Sequence, residues 1–397
     1  MAKMLRTVFL VFAFTAQASP VENPGRLADA NNVLGLNLLK ALRSNENHVF
    51  ISPFSISMAM SMVYHGARGV SERELSSVLG YDAAGLQRRE DVLSSVEKFF
   101  SDSSLRSNDI TLEVANAVLL DQDFRVEGTY EKDLQDIYQA RFKEVSFRTE
   151  GDRVAAEINQ WVSSKTRRKI TNVIRNLSPN TVLYIMNAVY FKGDWKTKFN
   201  ERLTTKLPFY NHGKTSTLVD TMARSGRYGY KTDHELKADI VDLAYKGDEF
   251  SMVIILPHER DGLGRLVADL TASKFKDAVR SLSPQTFLLR LPKFKLESDY
   301  NLVKQLQDLG AGSIFGANAN LTGISASENI AVSDVIHKAV VEVNEEGSEA
   351  AAFTGVQIFT YSAQLSEPEV NVDHPFLFFI RSKKTDMILF AGAVNAL

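Results

Sequence analysis

Residues 341–369 read VEVNEEGSEAAAFTGVQIFTYSAQLSEPE, and the rest of the chain is organised around them. Val341 and Val343 alternate with Glu342 and Asn344, the two-residue period of a half-buried strand, which is expected to stop near Gly347. After Ser348 and Glu349 come Ala350, Ala351 and Ala352, small residues that lose little side-chain entropy when ordered. Strand character then returns. One alternating set runs from Ser348 through Ala350, Ala352 and Thr354 to Val356 and Ile358, which suits a buried sheet face; the other is mixed, as on a solvated face. On pattern alone the stretch reads as the second strand of an ordinary hairpin.

Composition bounds the surroundings. The 397 residues are 44% hydrophobic and 24% charged, enough for a sizeable core, and no linker divides them. With 46 basic and 48 acidic residues the formal net charge is -2, which argues against a general electrostatic role on nucleic acid. The absence of cysteine excludes disulfides, thiolate nucleophiles and cysteine-based metal sites. Lys3 and Arg6 precede an apolar run at 8–16 and the small-residue site Ala16-Gln17-Ala18, so residues 1–18 are expected to be a signal peptide and 19–397 one secreted domain. That run is far short of the roughly 20 residues of a membrane span, and no later segment qualifies.

Periodicity outlines the elements. Residues 31–43 read as an amphipathic helix with Asn31 and Asn32 as candidate caps, and 48–69 as a short strand followed by a buried helix that Ser52-Pro53 starts. Residues 71–104 read as two helices, 109–120 as a strand, 130–140 as a helix, and 152–169 as a helix ending in Arg167, Arg168 and Lys169. Those three cations are expected to complement the helix dipole rather than bind a polyanion. Residues 181–195 form a nearly continuous apolar run, as in a strand buried on both faces. Alternation around Gly247 marks a hairpin, and a strand at 286–296 is interrupted at Pro292. His337, among apolar neighbours, reads as a satisfied core histidine.

Catalytic patterns are absent. No G-x-S-x-G elbow occurs; Gly213-Lys214-Thr215 has Pro208 where a phosphate loop needs glycine; and His234-Glu235 has Ala238 at the second histidine position of a zinc-protease motif. No cofactor, metal or enzymatic activity is expected.

The run Glu345, Glu346, Gly347, Ser348, Glu349, Ala350, Ala351, Ala352 resembles the proximal hinge of an inhibitory serpin. The resemblance covers essentially the whole mature chain. Its other anchors are the Ser-Pro-x-Ser segment at 52–55, NAVYFKGDW at 187–195, LPKFKLESDYNLVKQLQDLG at 291–310 and the C-terminal hairpin at 373–397. It implies an α+β fold of about nine helices around three β-sheets, with an exposed reactive-centre loop at about 345–369 and a large central sheet able to accept that loop as an extra strand. It places Ser52, Ser55, Asn187 and His337 in the region where the sheet parts, with His337 bonded to Asn187 and the serine segment. Trp195 and Lys293 fall at the top where insertion begins, Lys293 as the ion-pair partner of Glu345. Gly392-Ala393 departs from the family's Gly-Arg, and Leu397 ends the chain without its usual proline.

The same resemblance implies a bait bond sixteen residues past Glu345, at Tyr361-Ser362. Tyrosine there suits proteases with a deep apolar primary pocket, of the chymotrypsin, cathepsin G and chymase types, and no Lys or Arg lies between Glu345 and Ile380 to suit a trypsin-like one. A monomer without a strong heparin site is expected, since the charged helix at Arg88, Arg89, Glu90 and Asp91 mixes signs. The cysteine-free, secreted style resembles arthropod serpins of the tick salivary type, whose partners would be host proteases of inflammation. Asn320 is the better glycosylation acceptor, and Asn176, followed by Pro179, the weaker. The other reading is a non-inhibitory serpin acting as carrier, storage protein or chaperone.

Overall fold

A strand with no polar face is stable only between two layers, and the run at 181–195 is placed that way. The computed structural model describes residues 24–42, 47–101, 110–326, 330–347 and 368–397. In chain order the elements are α1 (Pro24–Ala41), β1 (His48–Ile51), α2 (Pro53–Gly66), α3 (Gly69–Val78), α4 (Arg89–Ser101), β2 (Ile110–Asp121), α5 (Gly128–Asp136), β3 (Arg141–Val145), α6 (Phe147–Lys165), β4 (Leu183–Gly193), β5 (Thr205–Asn211) and β6 (Thr215–Asp233). They continue with β7 (Ala238–Ala244), β8 (Phe250–Pro257), α7 (Leu263–Asp269), α8 (Ala272–Arg280), β9 (Ser283–Pro292), β10 (Phe294–Asn301), α9 (Val303–Asp308), β11 (Val332–Val343), β12 (Glu369–Asn371), β13 (Phe376–Ser382) and β14 (Ile388–Val394).

Among the described residues the strands form two ladders. A five-stranded central sheet has the order β10-β11-β4-β2-β3, and a nine-stranded sheet runs β1-β14-β13-β8-β7-β6-β9-β12 with β5 paired to β6. The 19-residue β6 joins two smaller sheets in one ladder: its first half pairs with β5, its last residues with β7, and β9 spans the middle. In β4, Ile185, Val189 and Phe191 face the main core beneath α1 and α2, while Tyr184, Met186 and Ala188 face a second core under α6. Every β4 residue except Lys192 is buried, as the two layers require.

Ser52 caps α2 as the sequence suggests, its Oγ accepting from Ser55 N at 3.2 Å with Pro53 in the first turn. Two helix boundaries change the reading of particular side chains. Helix α1 begins upstream, so Asn31 and Asn32 lie inside it and cap nothing; both are buried and bond to the C-terminal hairpin. Asn31 Nδ2 donates to Ile388 O at 2.9 Å, Asn32 Nδ2 to Asp386 O at 2.8 Å, and Ile388 N donates to Asn32 Oδ1 at 2.8 Å. Helix α6 stops at Lys165, where Thr166 Oγ1 donates to Val162 O, and Arg167 and Arg168 adopt left-handed conformations with φ of 51° and 64°. They therefore lie beyond the last turn, and Arg167 reaches Glu113 on β2 at 3.5 Å. The dipole reading of these cations is corrected accordingly.

Asn32 satisfies both a carbonyl and an amide of a buried hairpin, so Asn32→Ala is expected to lower unfolding stability by about 1–3 kcal/mol, measured by urea denaturation.

Candidate functional site

Strand β11 lies parallel to β4, with pairs from Val332–Leu183 to Val340–Tyr190. Above that point the two strands separate: residues 341–343 stay paired only to β10, and 191–193 only to β2. Over 332–340 and 183–190 the two strands pair directly with each other, and among the described residues no strand is seated in the gap above. The hinge residues turn over the top of the gap. Asn344 Oδ1 accepts from the amides of Glu346 at 3.1 Å and Gly347 at 3.3 Å, and Asn344 N donates to Gly347 O at 3.0 Å. The turn is tied across to the end of β4, where Trp195 N donates to Glu346 O at 2.8 Å and Trp195 Nε1 to Asn344 O at 2.9 Å. Trp195 is itself buried and stacked on Tyr245 with ring centroids 4.7 Å apart. Gly347 has φ of 145°, and a Cβ there would overlap the Gly193 carbonyl oxygen and come within 2.6 Å of Asp194 Cα, so only glycine fits.

Both hinge carboxylates are buried and each takes a lysine from a different side of the gap. Lys293, in the β9–β10 connection, lies 2.8 Å from Glu345 Oε2, and Thr204 Oγ1 donates to Glu345 Oε1 at 2.6 Å. Lys198 pairs with Glu346. Burial alone would raise the Glu345 pKa, but the hydrogen bonds from Lys293 and Thr204 outweigh it and hold the group below the usual carboxylate value. Its stabilising contribution is therefore present above the ordinary glutamate pKa and is lost as pH falls through the depressed one.

Lower in the seam, three strands carry polar residues in register: Asn116 on β2, Asn187 on β4 and His337 on β11. Ser52 N donates to His337 Nε2 at 3.1 Å, so the ring proton sits on Nδ1, which donates to Asn187 Oδ1 at 2.9 Å. Ser55 Oγ also donates to Asn187 Oδ1, Asn187 Nδ2 donates to Asn116 Oδ1, and Ser52 Oγ donates to Leu389 O at 2.6 Å. Every one of these side chains is buried. Desolvation pushes the His337 pKa down to about 3.

Of the residues singled out in the sequence, the structure brings together Ser52, Ser55, Asn187 and His337 in one network, and Glu345, Glu346, Gly347, Trp195 and Lys293 in another. Ser348, Glu349, Ala350, Ala351, Ala352, Tyr361 and Ser362 lie outside the described residues, as does the signal segment 1–18. Asn320 is half-buried, its Oδ1 accepting from Thr322 Oγ1 at 2.9 Å, whereas Asn176 is exposed. Arg88 and Arg89 of the charged helical region are tied to Asp91 and Glu72. Sequence reasoning missed Asn344, Thr204, Lys198 and Asn116. Only Asn116 carried a signal, a lone polar residue inside the apolar strand VANAVLL.

The seam, the hinge turn and the five-stranded sheet match one family. Residues 29–397 fit the family model described as Serpin (serine protease inhibitor). The chain is a serpin. It is 42% identical over 379 residues to Iripin-5 of Ixodes ricinus, covering 95% of each chain. It is 37% identical over 372 residues to Intracellular coagulation inhibitor 2 of Tachypleus tridentatus, covering 94% of this chain and 91% of that one. Among solved structures, Serpin48 of the insect Tenebrio molitor superposes with a TM-score of 0.82 at 30% identity, covering 95% of this chain and 99% of that one. The expected serpin fold and tick-like relationship are therefore established, and the family is one of protease inhibitors.

In this serpin the unfolded chain takes up the His337 proton near pH 6.5 and the folded one only near 3, so stability is intact above 6.5 and is lost as pH falls toward 3. The loss is about 1.4 kcal/mol per pH unit, or about 2 kcal/mol at pH 5. His337→Gln is expected to be less stable at pH 7.5 yet to lose about 2 kcal/mol less on going to pH 5.0. Urea unfolding of both proteins at the two pH values checks this, and identical pH dependence would contradict it.

Proposed function

We propose that this serpin is a secreted suicide inhibitor of chymotrypsin-like serine proteases, with Tyr361-Ser362 as the bond attacked. The observation that carries the reading is the parallel β4–β11 seam, open above Val340 and Tyr190, with the chain turning back at Gly347 directly over the opening. A segment that leaves Gly347 and reverses would run antiparallel to both flanking strands, which is the pairing an inserted strand needs. The protease attacks the Tyr361 carbonyl and forms an acyl-enzyme. The freed segment 348–361, roughly 48 Å long when extended, then enters the seam and carries the tethered protease with it. About a dozen new ladder bonds at ~0.5–1.5 kcal/mol each supply on the order of 10 kcal/mol, comparable with the stability of a domain. The small residues Ala350, Ala351 and Ala352 let this start before water releases the enzyme. Phe353, bulkier than is usual there, falls on the outward set.

Tyr361 and the lack of Lys or Arg through the loop favour cathepsin G, chymase and chymotrypsin types over trypsin. The basic and small-residue pattern of residues 1–18 supports secretion, and the sequon at Asn320 supports a glycan there, that at Asn176, exposed but followed by Pro179, less so. Among the described residues no helix is long and apolar enough to cross a membrane.

Mixing the protein with chymotrypsin, cathepsin G and trypsin is expected to give a gel-stable adduct with the first two and a released peptide that begins at Ser362. Tyr361→Arg moves adduct formation to trypsin, and Ala350→Glu converts the wild-type outcome to cleavage without an adduct. Cleavage of the wild-type protein without any adduct would instead favour a non-inhibitory serpin.

A further inference from the structure

Asn320 opens the sequon Asn320-Leu321-Thr322, and the fold fixes where its amide nitrogen points. Asn320 N donates to Ser71 Oγ at 3.0 Å, Asn320 O accepts from Arg68 N at 2.9 Å, and Asn320 Oδ1 accepts from Thr322 Oγ1 at 2.9 Å. With the backbone and Oδ1 tied down, Nδ2 is turned toward the start of α3, 3.5 Å from where a Cβ on Gly69 would stand. Among the described residues Nδ2 has no hydrogen-bond partner, and it is open to solvent. Beside it lies a cleft of about 490 Å³, lined by Val70 and Glu74 of α3 and, across from them, by Gly312, Ser313, Gly316 and Asn318. That volume is within the range of small-molecule sites. A Cβ at Gly312 or Gly316 would meet no atom within 4 Å, so this side of the cleft is open space. Val70 is 50% exposed, one of three large apolar side chains left so among the described residues. The first turn of α3 has no side-chain cap, which leaves its leading amides in need of an acceptor. Glu74 Oε2 accepts from Ser313 N at 2.8 Å, so Oε1 remains for a hydroxyl donor. A methyl group, a carbonyl and hydroxyls on one rigid ring suit such a cleft, and N-acetylglucosamine carries all three. We propose that the first sugars of an N-linked glycan on Asn320 fold back into this cleft, where they cover Val70 and the start of α3 and brace that helix against the 312–318 loop. The linkage forms by transfer from a lipid diphosphate oligosaccharide: Nδ2 bonds to the sugar C1, the C1–O bond to the diphosphate breaks, and one Nδ2 proton is lost to solvent. Docking rests on Asn320 being a glycan site, as proposed above, so occupancy is measured together with it.

Three forms of the chain test this: the protein secreted from insect cells with high-mannose glycans, that product trimmed by an endoglycosidase to a single N-acetylglucosamine, and the same mature chain made without glycan in bacteria. Peptide mass spectrometry reads occupancy of Asn320, and hydrogen exchange reads the amides of residues 69–73. Asn320 is expected to be occupied, with exchange at 69–73 about tenfold slower in both sugar-bearing forms than in the bacterial chain. Val70→Ser, a surface change, should keep the glycan and lose most of that difference. Thr322→Ala should lose the glycan and exchange at the bacterial rate; the same variant made in bacteria measures what the missing Thr322 hydrogen bond does by itself. An unoccupied Asn320 overturns the glycan reading and the docking with it. An occupied Asn320 whose 69–73 amides exchange as fast as in the bacterial chain, or whose protection survives Val70→Ser undiminished, overturns the docking alone. None of these outcomes depends on a protease, so they are separable from a failure to trap one.

Discussion

The seam between β4 and β11 carries the weight of this molecule. Two parallel strands pair directly through their lower parts and separate above Val340 and Tyr190, so among the described residues the ladder between them is closed below and open above. An unfinished ladder is a standing invitation to another strand. Here the invitation is held closed by two fastenings of different chemistry. Below, a buried relay from Ser52 through His337 to Asn187 and Asn116 crosses three strands and the cap of α2. Above, Trp195 bridges the gap to the Asn344 carbonyl, with the Tyr245 ring stacked behind it.

The two fastenings respond to different conditions. The relay is made of neutral groups in a site that excludes water, so it is indifferent to salt and sensitive to protonation: a second proton on His337 would point a donor at the Ser52 amide. The upper closure is flanked by Lys293–Glu345 and Lys198–Glu346, pairs with one buried carboxylate and one lysine that still meets solvent. Breaking such a pair from the exposed side leaves a buried charge without its partner, and that is the costly direction. Both buried carboxylates therefore depend on lysines that solvent can reach.

The architecture around the seam serves to keep β4 buried on both faces. The main core beneath α1 and α2 and the smaller core under α6 each take one alternating set of its side chains. Asn187 belongs to the set facing α2, which is why the polar relay can reach Ser55. Gly347 stands where the hinge turn crosses the end of β4, and its missing Cβ is what permits its close approach to the Gly193 carbonyl.

Much of this was legible in the residues. The 181–195 run declared a doubly buried strand and Ser52-Pro53 declared the start of α2, because each rests on local patterning or on one short motif; the turn at Glu345, Glu346 and Gly347 was expected from family resemblance. The pairing of Lys293 with Glu345 was named from family resemblance, and the geometry puts the two groups 2.8 Å apart. What stayed hidden depends on contacts between distant segments. Asn31 and Asn32 looked like caps because asparagine favours helix starts; their true partners are more than 350 residues away, and no local signal encodes that. Arg167 and Arg168 continued a helical pattern, but the chain leaves the helix at Thr166 to cross the central sheet. Thr204 and Lys198 meet Glu345 and Glu346 only where separate segments converge. The sequence by itself determined the elements and their buried faces, since periodicity is a local property, and the hinge was named there only through family resemblance. Only the tertiary structure decided where the sheet is left open and which groups hold it shut, because those are properties of strands adjacent in space and far apart in the chain.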